Sequence, residues 1–292
     1  TCLSCGDLNI FMGNYAGQRI TTGDANIAMG YHSGAGNSDS TGQRNITIGE
    51  YTGYGLTDGS CNVIIGHYTG QNVSSGEQNI LFGRFAGQQL TTGDHNIFAG
   101  LYSGGKCTLT GGYNIGFGFH VLSRNTSGTN NIAMGCLAMS GEVVTGEKNI
   151  AIGENAGRDI KCGSYNTLIG VGAGALSDCT NDNVFIGRNA GYCVKVVTTG
   201  GTANKNVFMG SYAGKCRCHG DYNIAFGKEA FRGSSTYSTN TGSDNVVLGC
   251  GAAKNMSSGS RNVVIGRDAM GGSTDKTGSR NITIGTQAGR NI

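Results

Sequence analysis

The sequence predicts an all-β chain, a parallel β-solenoid (β-helix or β-roll) of about sixteen coils wound into an elongated rod. Three observations predict it. The motif Gly-x-x-Asn-[Ile/Val]-x-apolar-Gly-x-x-[Ala/Ser/Thr]-Gly recurs along the whole chain and stands complete at Gly23–Gly34, Gly42–Gly53 and Gly76–Gly87. Its period of 17–19 residues is too short for a helical repeat. The 292 residues include 54 Gly and no Pro, so nearly every backbone N–H stays free to pair with a neighbouring strand.

The Asn of the motif marks each coil: Asn9, Asn26, Asn45, Asn62, Asn79, Asn96, Asn114, Asn131, Asn149, Asn166, Asn183, Asn206, Asn223, Asn245, Asn262 and Asn281. Two gaps are longer, 23 residues from Asn183 to Asn206 and 22 from Asn223 to Asn245. They hold Val194 to Gly201 and Gly233 to Thr241, rich in Gly, Ser and Thr, and read as loop insertions in one continuous array over 1–292. Asn tolerates a left-handed backbone and can hydrogen-bond the coils above and below, so the column reads as a ladder of amides.

After each Asn comes Ile or Val (Thr167 in one copy), and two residues further an apolar side chain such as Met12, Ile48, Phe82 or Ile284. Alternation puts these two columns on one face, which the sequence suggests is the inner one. The residue between them should then point outward. It is apolar in most coils (Phe11, Ala28, Ile64, Leu81, Phe98, Val247), which suggests that other copies of the chain cover that face about a threefold or similar axis. Coils rising about 4.8 Å each give a rod of roughly 75–80 Å. The array stops at Ile292 in the phase in which it begins near Gly6, an uncapped arrangement that suggests head-to-tail stacking or a piece of a longer fibre.

The formal net charge of +3 is carried by scattered Lys and Arg, which indicates no nucleic-acid partner. No stretch reaches the roughly 18 apolar residues of a membrane span, so no membrane insertion is expected. Eleven Cys favour an oxidising, exterior setting.

The Asn-Ile-Ala-Met-Gly, Asn-Ile-Thr-Ile-Gly and Asn-Ile-Ala-Ile-Gly cores, each followed by x-x-Ala-Gly or a close variant, resemble the repeats of phage and virus tail-fibre shafts. They are also similar, with a longer period, to the head repeats of trimeric autotransporter adhesins. The resemblance covers the whole chain. It implies an extracellular or virion-surface homotrimeric β-fibre concerned with reach and attachment. The distinct tip or self-cleaving domain of tail fibres and the coiled-coil stalk and anchor of adhesins are not seen in this sequence, and the Cys content is unusual for phage shafts.

Chemistry is sparse. Five His, at 32, 67, 95, 120 and 219, share no single repeat phase and form no catalytic set, so the chain is expected not to be an enzyme and to carry no cofactor. Cys2-x-x-Cys5 and Cys216-x-Cys218-His219 lack a second pair at zinc-finger spacing, and thiols or disulfides are preferred to metal. Cys162 and Cys179 both stand four residues before a repeat Asn in successive coils, which brings their Cα atoms to about 4.8 Å, inside disulfide range. Cys193 and Cys216 both lie six residues after Gly187 and Gly210, and make a second candidate staple. Asp7, Asp24, Asp94 and Asp221 follow the leading Gly of their coils, but Gln43, Ser60, Thr129 and Ser164 replace them elsewhere, so a solvated turn is preferred to a calcium site.

Two residues after the second Gly of the motif stand Tyr15, His32, Tyr51, Tyr68, Phe85, Tyr102 and His120 in consecutive coils. Such a column is either plain stacking or a glycan-binding or inter-fibre strip. Sequons outside the ladder, at Asn72, Asn125 and Asn255, are candidate N-glycosylation sites. The reading that follows is a structural fibre subunit, partnered with itself as a homotrimer or filament. The alternative is an adhesin that binds a surface glycan or receptor, with ice binding as a remote variant. That variant rests on the in-phase pairs Thr21-Thr22, Ser74-Ser75 and Thr91-Thr92, which Lys161-Cys162 and Asp178-Cys179 interrupt.

Overall fold

The computed structural model describes residues 6–36, 38–194, 203–217, 219–233, 240–272 and 277–290. Both expected insertions fall largely on residues 195–202 and 234–239, outside the described residues. The described chain is all-β and contains no helix, and its sixteen strands are each three residues long and parallel, following one another in chain order. It packs as two compact units. Residues 1–145 carry β1 (Ile10–Met12) to β8 (Ile132–Met134), and residues 146–292 carry β9 (Ile150–Ile152) to β16 (Ile282–Ile284).

Register follows the motif without slippage. In the first unit Ile27 pairs with Ile46, Ala28 with Thr47 and Met29 with Ile48; in the second, Thr167 pairs with Val184, Leu168 with Phe185 and Ile169 with Ile186. Two local backbone states turn each coil. The residue before the Asn is left-handed, for example Ala25 at φ 55° and Lys148 at 56°. The Gly that closes each strand lies near φ 130°, and a Cβ on Gly13 would meet the carbonyl oxygen of Gly30 at 2.6 Å. A side chain there would push the coils apart, which explains why this column is never anything but Gly. Among the ladder Asn none is left-handed; that conformation belongs to the preceding residue.

The Asn column is a hydrogen-bonded ladder within each unit. The Asn62 carboxamide donates to the Asn45 Oδ1 (3.1 Å) and to the Gly76 carbonyl (2.8 Å), while its own Oδ1 accepts the Asn79 backbone N–H (2.9 Å) and the Asn79 Nδ2 (3.1 Å). The same set recurs around Asn183, Asn206 and Asn223 in the second unit. Asn62, Asn79, Asn96 and Asn114 are fully buried, and each amide is satisfied by its neighbours.

That ladder reverses the expected orientation of the strands. Because Asn faces the interior, alternation sends the next residue out, the central strand residue in and the third out. Accordingly Ile64, Leu81, Phe98, Leu168, Phe185 and Phe208 are buried in the core, whereas Ile80 and Phe82 are 47% and 57% exposed. The Ile/Val and Met/Ile/Phe columns therefore form the outer face, and the column expected outside fills the interior. Small residues opposite the strand (Ala86, Ser103, Ala138, Ala156, Ala190) and corner residues such as Leu90, Leu109 and Ile160 complete the core.

In most coils core volume is balanced between two positions six residues apart. Where the central strand residue is large, the sixth residue after it is Gly: a Cβ on Gly104 would lie 2.6 Å from the Phe98 ring. Where the centre is Gly116, Ala133 or Ala225, that sixth position carries Leu122, Met139 or Phe231, each fully buried. One side chain then fills the space, supplied from either of two positions, except where both are small, as at Ala28 with Gly34 and Ala151 with Gly157, or both large, as at Val264 with Met270.

Candidate functional site

Outward strand positions are apolar throughout except Thr167, and the two columns they form run side by side through each unit. In the first unit the face includes Met12 (61% exposed), Phe82 and Phe117; in the second it includes Ile152, Phe226 and Ile284. No charge interrupts either column. Parallel sheets normally have both faces covered, because their strands read apolar on both sides. Here one face closes on the solenoid core, and the other is open in a single chain.

A second surface, confined to the first unit, is built from the aromatic column. Left-handed backbone at Tyr15, His32, Tyr51, Tyr68, Phe85, Tyr102 and His120 (φ 51–59°) turns each ring along the coil axis. The rings stack. Tyr15 and His32 lie 4.7 Å apart between centroids, His32 and Tyr51 5.0 Å, Tyr51 and Tyr68 5.0 Å, Phe85 and Tyr102 4.7 Å, and Tyr102 and His120 4.9 Å. Tyr68 and Phe85 are tilted at 5.8 Å. Sequence reasoning missed the flanking rings. Tyr31 stands edge-on to Tyr15, His32 and Tyr51, Tyr54 to His32 and Tyr51, His67 to Tyr68, and Phe119 to His120. The signal available was adjacency, since Tyr31, His67 and Phe119 each immediately precede a ladder residue.

Desolvation, and next to it a hydrogen bond with Tyr31, raises the Tyr51 phenol above its usual pKa. Burial, reinforced by the positive charge of Lys106, lowers the pKa of His120. His32 has a buried Nδ1 with no hydrogen-bond partner, held between the Tyr15 and Tyr51 faces. Along the stack the ring faces cover one another, so the surface offers mainly ring edges.

The cysteines divide by geometry. Cys162 and Cys179 form a disulfide across successive coils, with Cα atoms 4.8 Å apart, as their shared phase predicts. The second expected staple is not formed. Cys193 and Cys216 are not joined although they share a phase; both sit in left-handed backbone, at φ 62° and 64°, and Cys216 turns inward while Cys193 is half-exposed. Shared phase alone does not bring two sulfurs together; their Cβ vectors must also converge. Cys2, Cys5 and Cys218 lie outside the described residues.

Among the sequons, Asn125 is corrected. It is buried, its Nδ2 donates to the Gly128 carbonyl (3.1 Å) and its Oδ1 accepts the Gly128 N–H (2.9 Å), which leaves no amide exposed for a glycan. Asn72 and Asn255 are half-buried, their amides donating to Gln89 Oε1 (2.9 Å) and the Gly272 carbonyl (2.6 Å). The turn column of Asp, Asn and Ser works as a second ladder. Asp24 Oδ1 accepts the Asp7 N–H (2.8 Å), Asp94 Oδ1 that of Glu77 (2.7 Å), and Ser60 Oγ that of Gln43 (3.1 Å). This explains why Asp and Ser interchange there, since either can accept one backbone N–H. Among the described residues no cluster of three or more His, Cys, Asp or Glu is placed to hold a metal ion.

No family model, curated protein or solved structure matches this chain. Among the described residues no helix is long and apolar enough to cross a membrane, and the inter-coil disulfide is compatible with an oxidising, extracellular location.

Proposed function

We propose that this chain is a non-enzymatic structural subunit of an extracellular or virion-surface fibre or filament that self-associates through its outward sheet face. The observation that carries the reading is the pair of uncharged apolar columns on the open face of a parallel sheet. Eight strands at about 4.8 Å, two side chains wide, present on the order of 400 Å² per unit. A continuous patch of that size in each unit, without a charge to interrupt it, offers another copy of the chain a face to pack on, as in a trimeric or bundled fibre. The aromatic ladder supports the adhesin reading less, because stacked rings have few free faces on which a sugar could lie.

Sedimentation velocity on the purified chain tests the proposal. The unmodified chain should assemble with rising concentration, and the triple variant Ile65→Lys, Phe82→Lys, Phe117→Lys should remain monomeric with an unchanged β spectrum. A chain that stays monomeric at all concentrations, or a triple variant that assembles equally well, sinks the reading.

A further inference from the structure

The apolar face of each unit is bordered by two flanks. One is the left-handed residue before each ladder Asn, and the other is the residue after the Gly that closes each strand, six positions later in the same coil. Charges on the two flanks are matched within coils. Arg44 and Glu50 belong to one coil of the first unit, and Lys148 with Glu154 and Asp182 with Arg188 to two coils of the second; all six are exposed. The opposite charges of one coil cannot meet, because the strand between them holds them roughly 15–20 Å apart. Contacts within one chain run from coil to coil instead. Glu50 lies 3.6 Å from the His67 Nε2, the Lys148 ammonium donates to the Tyr165 hydroxyl (2.9 Å), and the Arg188 guanidinium lies over the Tyr212 ring.

Resting on the self-association proposed above, we infer that the occupant of the apolar face is a second copy packed parallel and in coil register, with Arg44 of one copy against Glu50 of the next, Lys148 against Glu154 and Asp182 against Arg188. Copies that point the same way, facing each other or ringed about an axis along the coils, bring opposite flanks together at the same level. Copies that point opposite ways bring identical flanks together. In the parallel register three of the four coils with Asp, Glu, Lys or Arg on both flanks gain an attractive pair, and the coil of Arg261 and Arg267 alone sets like charges together. A slip of one coil keeps a single attractive pair, Asp244 against Arg267 in one direction or Lys228 in the other, and adds a repulsive one, Lys205 against Lys228 or Arg188. Turning one copy end for end over the eight coils of the second unit sets Lys148 against Arg280 and Asp182 against Asp244. Columns of repeated Ile, Val and Met accept any of these slips, so the flanking charges decide the register.

A carbodiimide, which joins an amine to a carboxyl group without a spacer, tests the register on the purified, assembled chain. Lys148 and Glu154 of one chain are too far apart to be coupled, whereas those of parallel copies are adjacent. A coupled Lys148 is not cut by trypsin, so the expected product is the peptide Asn125–Arg158 joined to a second copy's Asn149–Arg158 through Lys148 and Glu154. In sedimentation velocity Arg44→Glu and Glu50→Arg, both at exposed positions, should each weaken assembly about tenfold or more, and the double exchange should restore it to within about threefold of the original chain. An assembled chain that couples Lys148 to a different carboxylate of its neighbour, or that lacks the link, overturns the register and leaves the apolar face as the site of assembly. So does a double exchange as weak as the two single changes combined. A chain that never assembles overturns both the register and the self-association on which it rests.

Discussion

Replacing Asn79 by Ala is expected to cost about 4 kcal/mol, a loss that can be worked from the ladder itself. The Asn79 backbone N–H remains and still donates to the Asn62 Oδ1 (2.9 Å), so Asn62 keeps a partner. The Asn96 Nδ2 still reaches the Gly111 carbonyl (3.1 Å). Two groups are stranded. The Asn96 N–H loses the Asn79 Oδ1 (2.8 Å), and the Gly93 carbonyl loses the Asn79 Nδ2 (2.9 Å). Each buried, unsatisfied group costs about 1–3 kcal/mol, so the pair costs roughly 2–6. A domain stable by about 5–15 kcal/mol would lose a large part of its margin. Urea unfolding, followed by the tyrosine fluorescence of the neighbouring ring stack, measures the change by linear extrapolation. Asn9→Ala is the internal control, because Asn9 is half-buried and water can replace its bonds to Gly23 and Asn26. If Asn79→Ala lies within about 1 kcal/mol of Asn9→Ala, the amide ladder is not what holds the coils together.

Two further outcomes follow from core volume and from the staple. Phe98→Gly alone empties the coil and should cost about 3–5 kcal/mol. Gly104→Leu alone should overpack against the Phe98 ring, and the double variant, which reproduces the Gly116 and Leu122 arrangement found one coil later, should recover most of either loss in the same unfolding assay. Cys162→Ser opens a loop whose ends are 17 residues apart, and should destabilise the second unit by about 3 kcal/mol under oxidising conditions and leave it unchanged under reducing ones.

Much of this architecture is legible in the sequence. The Asn spacing counts the coils, the short period with its glycines demands strands, and the phase of Cys162 and Cys179 gives the disulfide. What failed was the choice of face. Strand residues are apolar on both sides, so alternation separates Ile27 and Met29 from Ala28 without saying which column is inner. Two signals could have decided it. A buried Asn at position 26 forces residue 28 inward by alternation, and the reciprocal sizes of Phe98 with Gly104 and Gly116 with Leu122 show that these positions share one cavity. The left-handed position before each Asn left no such trace, because Ala25, Arg44, Cys61 and Lys148 share neither size nor polarity. The flanking ring at Tyr31 could have been suspected from its place beside His32, a position His67 and Phe119 share, whereas Tyr54 contacts His32 and Tyr51 only through the folded turn.

The Asn ladder also makes each coil exchangeable. Every carboxamide receives from the next coil what it offers to the previous one, so coils that share no other residue present identical hydrogen-bonding surfaces above and below. Excising a whole period within the first unit, such as residues 62–78, would place the Asn45 Oδ1 against the Asn79 N–H with the same bond that it now makes to Asn62. Duplication or loss of one period therefore changes how many coils the chain has while preserving the chemistry at every junction, and its length is open to evolutionary adjustment in steps of one coil.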